Sequence, residues 1–157
     1  MVIAQSKQES KKRCKCKGDK ILAFAGLSGF ITVGLGAFAA HGLSNILSET
    51  LLSVFKTGVQ YQAWHTFALL ACGILLLITA ESSQGGKSLY NEKGRKGLAS
   101  AGICFIIGIF CFSGSLYALA LTGIKWFGPI TPLGGLFFMI GWILFALSVL
   151  RLNKVTL

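Results

Sequence analysis

Four long apolar runs, separated by polar segments, dominate the pattern of this chain. Each supplies the roughly 20 apolar residues that a helix needs to cross a bilayer. The runs lie at about residues 21–40, 58–80, 98–122 and 132–150. The pattern predicts an all-α fold, an integral membrane four-helix bundle over residues 20–152. The polar ends lie outside the bundle, and we expect residues 1–19 to be disordered or to lie on the membrane surface.

A shorter pattern lies between the first two runs. Apolar residues recur every three or four positions over residues 43–55, as they do on one face of a helix. Ser48 suits the N-cap of such a helix, and Glu49 suits its first turn. We therefore expect a short interfacial amphipathic helix between helices 1 and 2, which bends into the second span near Gly58.

Two ends of the predicted spans carry residues that are typical of helix caps. The first span is expected to end at His41, with Gly42 in the left-handed conformation of a C-cap. In the fourth span, Thr131 suits the N-cap and Pro132 suits the first helical position, where the missing N–H costs nothing.

Composition agrees with a membrane protein. The 157 residues are 54% hydrophobic and only 13% charged, which is too apolar for an ordinary soluble domain. The chain also holds 20 glycines, and small residues inside spans let helix backbones approach each other closely. The glycines that we expect to serve helix packing are Gly29, Gly34, Gly36, Gly134 and Gly135.

The first apolar run has a second interpretation. A basic segment, an apolar run and the sequence Ala37-Phe38-Ala39 together resemble a secretory signal peptide with its cleavage site. We favour a retained first span, because the basic region and the apolar run are both long for a signal peptide, and because the run is rich in glycine.

Basic residues are distributed unevenly along the chain. Of the 15 Lys and Arg, seven precede the first span, four lie between the second and third, and two follow the fourth. Only Lys56 and Lys125 lie in the other two connections. The positive-inside rule then places both termini in the cytoplasm, as in a multi-pass protein of the bacterial inner membrane. The net charge of +10 requires no nucleic acid, and anionic lipid is the expected partner of the basic tail.

The sequence predicts no metal, cofactor or catalytic residue. Cys14 and Cys16 form a lone C-x-C pair, which lacks the further ligands of a structural zinc site. The other three cysteines lie in predicted helices, where they are expected to pack as small apolar residues. No span contains an acidic residue, and no nucleophile stands at motif spacing from a base.

One group of polar residues shares a depth in the membrane. If both termini are cytoplasmic, the group lies in the outer half of the bundle. Lipid cannot satisfy polar groups, so these side chains either bond one another or line a cavity that is open to the outer face. The members of this candidate polar cluster are His41, Gln62, His65, Ser113, Ser115, Tyr117 and Thr131.

Within this group, His65 is the main candidate for a functional residue. It lies on the order of 10 Å into the second span, and an ionisable residue at that depth is a candidate for a site. The alternative is an interhelical hydrogen bond that only selects the packing geometry. The sequence leaves both interpretations open.

The chain resembles a known family at four separate motifs. GAFAAHGL, TGVQYQAWH, FSGSLY and GPITPLGG, in this order, are similar to the YgdD-like family of small membrane proteins. This family is also called domain of unknown function 423, with a eukaryotic branch named transmembrane protein 256. The resemblance covers about residues 20–152. It implies a four-helix inner-membrane protein and a retained first span, and it implies no activity.

Three classes of function follow from these observations. The leading hypothesis is a non-enzymatic interaction, accessory or membrane-organising protein, whose partner is a lipid, a second copy or another membrane protein. The alternative is a small transporter or channel component that binds a proton, an ion or a small polar solute at His65 and its neighbours. A membrane enzyme comes third, because His65 could do acid–base work only in contact with Ser113 or Tyr117.

Overall fold

Four helices of the protein are long and apolar enough to cross a membrane. The computed structural model describes the backbone of residues 2–81, 83–84, 87–88 and 90–152, and the side chains of residues 17–80 and 90–152. This architecture confirms the all-α four-helix bundle that the sequence predicts. The four segments are Lys17–His41, Glu49–Ala80, Glu92–Thr122 and Lys125–Leu150.

Five α-helices and two irregular turns build these segments. The third span is interrupted by a π-helical turn at Ile109–Ser113, and a 3₁₀ turn at Lys125–Phe127 precedes the last helix. Between the second and third spans, the strands β1 (Ser83–Gln84) and β2 (Lys87–Ser88) pair in antiparallel fashion. The helices are α1 (Val2–His41), α2 (Glu49–Glu81), α3 (Glu92–Gly108), α4 (Gly114–Thr122) and α5 (Ile130–Leu150).

The first helix begins earlier than the sequence predicts. The backbone is helical from Val2 onward, whereas the polar composition of residues 1–19 predicts disorder or a segment on the membrane surface. Lys, Gln, Glu and Arg dominate this stretch and are good helix formers, and no proline or glycine occurs before Gly18. The backbone can therefore continue the first span without a break. The side chains of Cys14 and Cys16 lie outside the described residues.

The predicted interfacial helix is wrong as a separate element. Ser48 does precede α2, and its Oγ accepts the N–H of Leu51 at 3.4 Å. The helix then continues through Gly58 to Glu81, so residues 49–55 of the amphipathic stretch form its first turns and residues 43–47 lie in the turns that precede it. Gly58 lies inside this uninterrupted helix. A Cβ at this position would lie 2.7 Å from a ring carbon of Tyr117, so the glycine makes room for that ring.

The conformation predicted for Gly42 is also wrong. It follows α1, but the one described residue with positive φ is Gly123, at φ 69°, which ends α4. A side chain at Gly42 would require the ring of Phe38 to move, because a Cβ would lie 2.7 Å from carbons of that ring.

The last helix begins before the predicted cap. Pro129 already has helical dihedral angles (φ −62°, ψ −20°), so α5 starts at Ile130 and Thr131 lies inside its first turn. The N–H of Thr131 bonds to the carbonyl of Gly128, and its hydroxyl is free to bond another helix. Thr131 therefore does not cap this helix.

The core lies along the two central spans. About half of the most apolar window of α2 is buried, against 17% for α1 and 22% for α5, so the outer two helices leave most of their surface to lipid. α1 packs mainly on α2, and α5 mainly on α3. The largest fully buried side chains include Phe55, Leu69, Leu76, Leu98 and Phe105.

Close helix contacts occur at glycines, but at few of those predicted. Gly134 is such a contact, because a Cβ there would collide with the backbone nitrogen of Phe112. Gly29, Gly36 and Gly135 would accept a Cβ at ordinary contact distances, and a Cβ at Gly34 would have no described atom within 4 Å apart from its chain neighbours and the adjacent backbone of α1. A packing role for Gly34 would need another molecule. The tight contacts that the sequence did not single out include those at Gly58, Gly73, Gly102, Gly108 and Gly141.

Candidate functional site

The candidate polar cluster is divided into separate groups. Gln62 and Tyr117 meet between α1, α2 and α4, whereas His65 faces α3 and α5. Ser115 and Thr131 form a third contact. His41 is exposed at the end of α1 and, within the described residues, joins none of these groups.

Gln62 is the centre of a buried hydrogen-bond network. Its Nε2 donates to the carbonyl oxygen of Ser28 at 3.1 Å and to Ser28 Oγ at 3.4 Å. Its Oε1 accepts the hydroxyl of Tyr117 at 2.8 Å. A single amide thus links α1 and α4 to α2, at a position where the side chain of Gln62 is only 4% exposed.

Thr66 closes this network into a ring. Its hydroxyl donates to the carbonyl of Gln62 at 2.8 Å, and Ser28 Oγ lies 2.7 Å from Thr66 Oγ1. Because the Thr66 proton is already used, Ser28 is the donor in that contact. Donors then run in one direction from Gln62 through Ser28 and Thr66 back to Gln62, an arrangement in which each bond strengthens the next.

Ser28 and Thr66 are not members of the candidate polar cluster that the sequence predicts. The sequence does contain a signal for Thr66, because this residue lies four positions after Gln62 and so on the same face of α2. Ser28 is one of two hydroxyl residues in the first apolar run, and the other, Thr32, bonds to the carbonyl of Ser28 at 2.7 Å. These contacts make α1 an integral part of the bundle.

His65 is buried in an aromatic cage between α2, α3 and α5. Its ring is stacked on Phe138, with centroids 3.4 Å apart and planes at 6°, and the ring of Phe105 lies at 5.6 Å. Its Nδ1 lies 2.7 Å from the carbonyl oxygen of Tyr61, and the indole nitrogen of Trp142 lies 3.3 Å from its Nε2. Both ring nitrogens therefore have partners.

These partners identify the tautomer of His65. An indole N–H can only donate, so Nε2 accepts from Trp142. Nδ1 then carries the single proton and donates it to the carbonyl of Tyr61. The imidazole is neutral in this arrangement. Among the hydrogen bonds of the described side chains, none joins His65 to Ser113 or Tyr117, which the acid–base hypothesis requires.

A separate hydroxyl pair joins the third and fourth spans. Ser115 Oγ donates to the carbonyl of Phe112 at 2.9 Å, and it lies 2.7 Å from Thr131 Oγ1. With the Ser115 proton used, Thr131 is the donor between the two hydroxyls. The pair connects α4 to the first turn of α5.

Ser113 is fully buried in the π-helical turn, and its hydroxyl has no partner within the described residues. A serine in an α-helix commonly bonds to the carbonyl three or four residues earlier. Here the N–H of Gly114 bonds to the carbonyl of Ile109, five residues back, so the turn is wider and the local acceptors are displaced.

The Gln62 network lies beside a hollow in the lipid-facing surface. The hollow has a volume of about 240 Å³. Ser28, Gln62 and Tyr117 contribute to its lining, but apolar side chains such as Leu27 and Phe110 supply most of the wall. The hollow is thus an apolar space with a small polar floor.

Metal-ligating side chains do not come together in the described part of the chain. Residues 17–80 and 90–152 contain no group of three His, Cys, Asp or Glu that could hold a metal ion. Cys72, Cys104 and Cys111 are free thiols in the helices, Cys72 being buried and the other two half-buried.

Comparison with known proteins identifies the family. The sequence model of a family described as "Protein of unknown function (DUF423)" matches residues 35–135, which include the whole candidate polar cluster. The chain belongs to this family. The match confirms the resemblance seen in the four sequence motifs.

Curated relatives cover most of the chain. A UPF0382 membrane protein of Haemophilus influenzae is 45% identical over 125 residues, which are 80% of this chain and 89% of the relative. The UPF0382 inner membrane protein YgdD of Escherichia coli K12 is 35% identical over 134 residues, 85% of this chain and 92% of the relative. No solved structure matches the chain. Together with its four apolar helices, these relatives identify the chain as a membrane protein.

Proposed function

We propose that the chain is a non-enzymatic interaction protein of the inner membrane, which acts through contacts with lipids and with other membrane helices. One observation carries this proposal. The polar groups of Gln62 and His65, which are the strongest site candidates within the spans, are already hydrogen-bonded to groups on neighbouring helices. A group that is already bonded on all sides serves packing better than it serves a substrate.

The proposed location rests on the relatives and on charge. The Escherichia coli relative is named an inner membrane protein. Lys17, Lys93 and Arg151 lie at the end of the bundle where α1 enters the span, α3 begins and α5 ends, and the positive-inside rule assigns this end to the cytoplasm. Because four is an even number of spans, the proposal assigns both termini to that same side.

The outer helices offer the surface for such contacts. α1 exposes Gly26 and Gly34, and apart from the chain neighbours and the adjacent backbone of α1, no described heavy atom lies within 4 Å of a Cβ built at either position. Small residues on an exposed face of a spanning helix are typical of helix–helix contacts in membranes. A second copy of the chain or another membrane protein is the proposed partner of this face.

Reconstitution of the full chain tests this proposal against a transport role. In proteoliposomes with an enclosed pH-sensitive dye and imposed ion gradients, we expect flux equal to that of empty vesicles. We also expect Gly34→Leu to weaken association between fluorescently labelled copies, and Ala146→Leu, on the exposed face of α5, to leave it unchanged. Flux that is lost in His65→Ala, in protein that remains folded, would overturn the proposal.

A small transporter or channel component is the second candidate. The observation that favours it is the hollow of about 240 Å³ beside Gln62 and Tyr117, because a solute there would meet an amide and a phenol inside the membrane. Flux that depends on Gln62 and not on the exposed Gln60 would favour this candidate over the first.

A further inference from the structure

A second hollow lies at the basic end of the bundle, between α1 and α3. Its volume is about 330 Å³. On α1, Lys17, Lys20 and Phe24 line it at intervals of three and four residues, so they share one face of that helix. On α3, Ala99 and Ile103 line the hollow, and they are four residues apart and so share one face of that helix. The hollow is therefore a groove between two helical faces.

The floor of this groove is fixed by close packing. Ile21 is 6% exposed and lies over Gly102, where an added Cβ would come within 2.8 Å of Ile21 Cδ1. Ala99 is also buried, whereas Ile103 is 49% exposed and forms an open wall. Apart from the two lysines, all residues that line the groove are apolar.

The two lysines lie where the groove meets the membrane surface. Both lysines are exposed, and they lie beside the start of the first apolar run at about residue 21. Among the described residues neither forms an ion pair. Asp19 is exposed as well, but it lies about 100° around the helix from Lys20 and does not line the groove. The stem of each lysine can lie along the apolar wall while its ammonium group stays in the headgroup layer.

We propose that this groove binds one anionic phospholipid, with its phosphate between Lys17 and Lys20 and the upper part of an acyl chain along Ile21, Phe24 and Ile103. A membrane lipid is the occupant that matches a paired positive rim above an apolar wall, and basic pockets between spans on the cytoplasmic side are typical sites for anionic headgroups. The inference deepens the proposed function, on which it rests for the lipid contacts of the bundle.

The charged rim is tested by lipid retention. Full-length protein in mixed micelles with phosphatidylglycerol and phosphatidylcholine is analysed by native mass spectrometry. We expect wild-type protein to retain phosphatidylglycerol preferentially. Each of Lys17→Gln and Lys20→Gln should lower this preference about fivefold, and the double variant about 30-fold. Lys93→Gln is the matched control, since Lys93 is exposed at the same end of the bundle and does not line the groove.

The apolar wall is tested by filling it. Ile103→Trp should reduce the retention of phosphatidylglycerol, because the larger side chain occupies the place of the acyl chain. Ile74→Trp is the control, since Ile74 is 47% exposed on α2 and does not line the groove. Both variants face lipid, so neither substitution disturbs the core.

Each outcome bears on the proposal. A drop in Lys17→Gln/Lys20→Gln no larger than in Lys93→Gln would show that charge acts only through the general surface potential. Equal retention of phosphatidylglycerol in Ile103→Trp and Ile74→Trp would exclude the groove as the lipid-binding site. If the protein formed a dimer that displaced the lipid, the groove would instead be the binding site of a second copy. Any of these overturns the inference. Failure of the proposed function would appear separately, as flux in proteoliposomes with lysine-dependent lipid retention intact.

Discussion

The indole N–H of Trp142 reaches Nε2 of His65 across 3.3 Å and so connects the fourth span to the second. This contact determines which ring nitrogen of His65 carries the proton. The imidazole accepts from α5, donates to its own helix at Tyr61 and is stacked on Phe138. Protonation of Nε2 would place two donors against each other, so the arrangement holds only for the neutral ring.

Removal of the Trp142 donor should weaken the bundle modestly. Trp142→Phe keeps an aromatic ring against Phe105 but leaves Nε2 of His65 without a donor. We expect the free energy of unfolding to fall by about 0.6 kcal/mol, the average for such bonds in membranes. Trp126→Phe, which alters an 84% exposed ring, is the control. The measurement is a denaturing-detergent titration followed by circular dichroism, and equal stability of the two variants would contradict the assigned bond.

Replacement of Gln62 should have a larger effect. Gln62→Leu removes the acceptor of the Tyr117 hydroxyl and the donors to Ser28 together, so polar groups on α1 and α4 lose their partner. We expect a loss of about 1–2 kcal/mol in the same titration. Gln60→Leu provides a matched control, because Gln60 is exposed on the same helix two residues earlier. A similar loss in Gln60→Leu would mean that side-chain polarity, and not the network, sets the stability.

Two adjacent glycines should differ sharply in their tolerance of a methyl group. At Gly134 a Cβ would collide with the backbone nitrogen of Phe112, whereas at Gly135 it would lie 3.8 Å from the ring of that residue. Overpacking of this kind costs about 1–3 kcal/mol, so we expect Gly134→Ala to destabilise the protein by that amount. Gly135→Ala should be neutral, or slightly stabilising through its higher helix propensity. If Gly135→Ala lowered the thermal unfolding temperature more than Gly134→Ala did, the result would exclude the close approach of α5 to the π-helical turn.

The sequence predicts the spans better than the contacts between them. Apolar length alone locates all four spans, because crossing a bilayer demands it. Depth arguments also group Gln62 with Tyr117, and these two side chains are bonded to each other. Depth arguments do not identify the partners of His65, because its contact with Phe138 depends on how α5 is rotated about its own axis. A single chain carries no direct signal for that rotation.

Irregular backbone limits the prediction further. The π-helical turn at Ile109–Ser113 inserts an extra residue into the third span, so the positions that follow are rotated by about 100° from a regular helix. Ser113 and Ser115 consequently differ in their surroundings, one being without a partner among the described residues and the other bonded to Thr131. The contacts of individual glycines are hard to predict for a similar reason. Gly34 and Gly134 both lie within apolar runs of the sequence, and they differ in whether a neighbouring helix lies against them.

The orientation in the membrane is testable with two exposed positions at opposite ends of the bundle. His41 ends α1, and Lys93 lies in the first turn of α3. Because 13 of the 15 basic residues fall on the side of the termini, we expect that side to face the cytoplasm. In a background without the native cysteines, a membrane-impermeant maleimide should label His41→Cys in spheroplasts and should label Lys93→Cys only after the membrane is opened. Labelling of Lys93→Cys in intact spheroplasts would show that the protein has the opposite orientation. Equal labelling of both variants would indicate insertion in two directions, which the charge distribution disfavours.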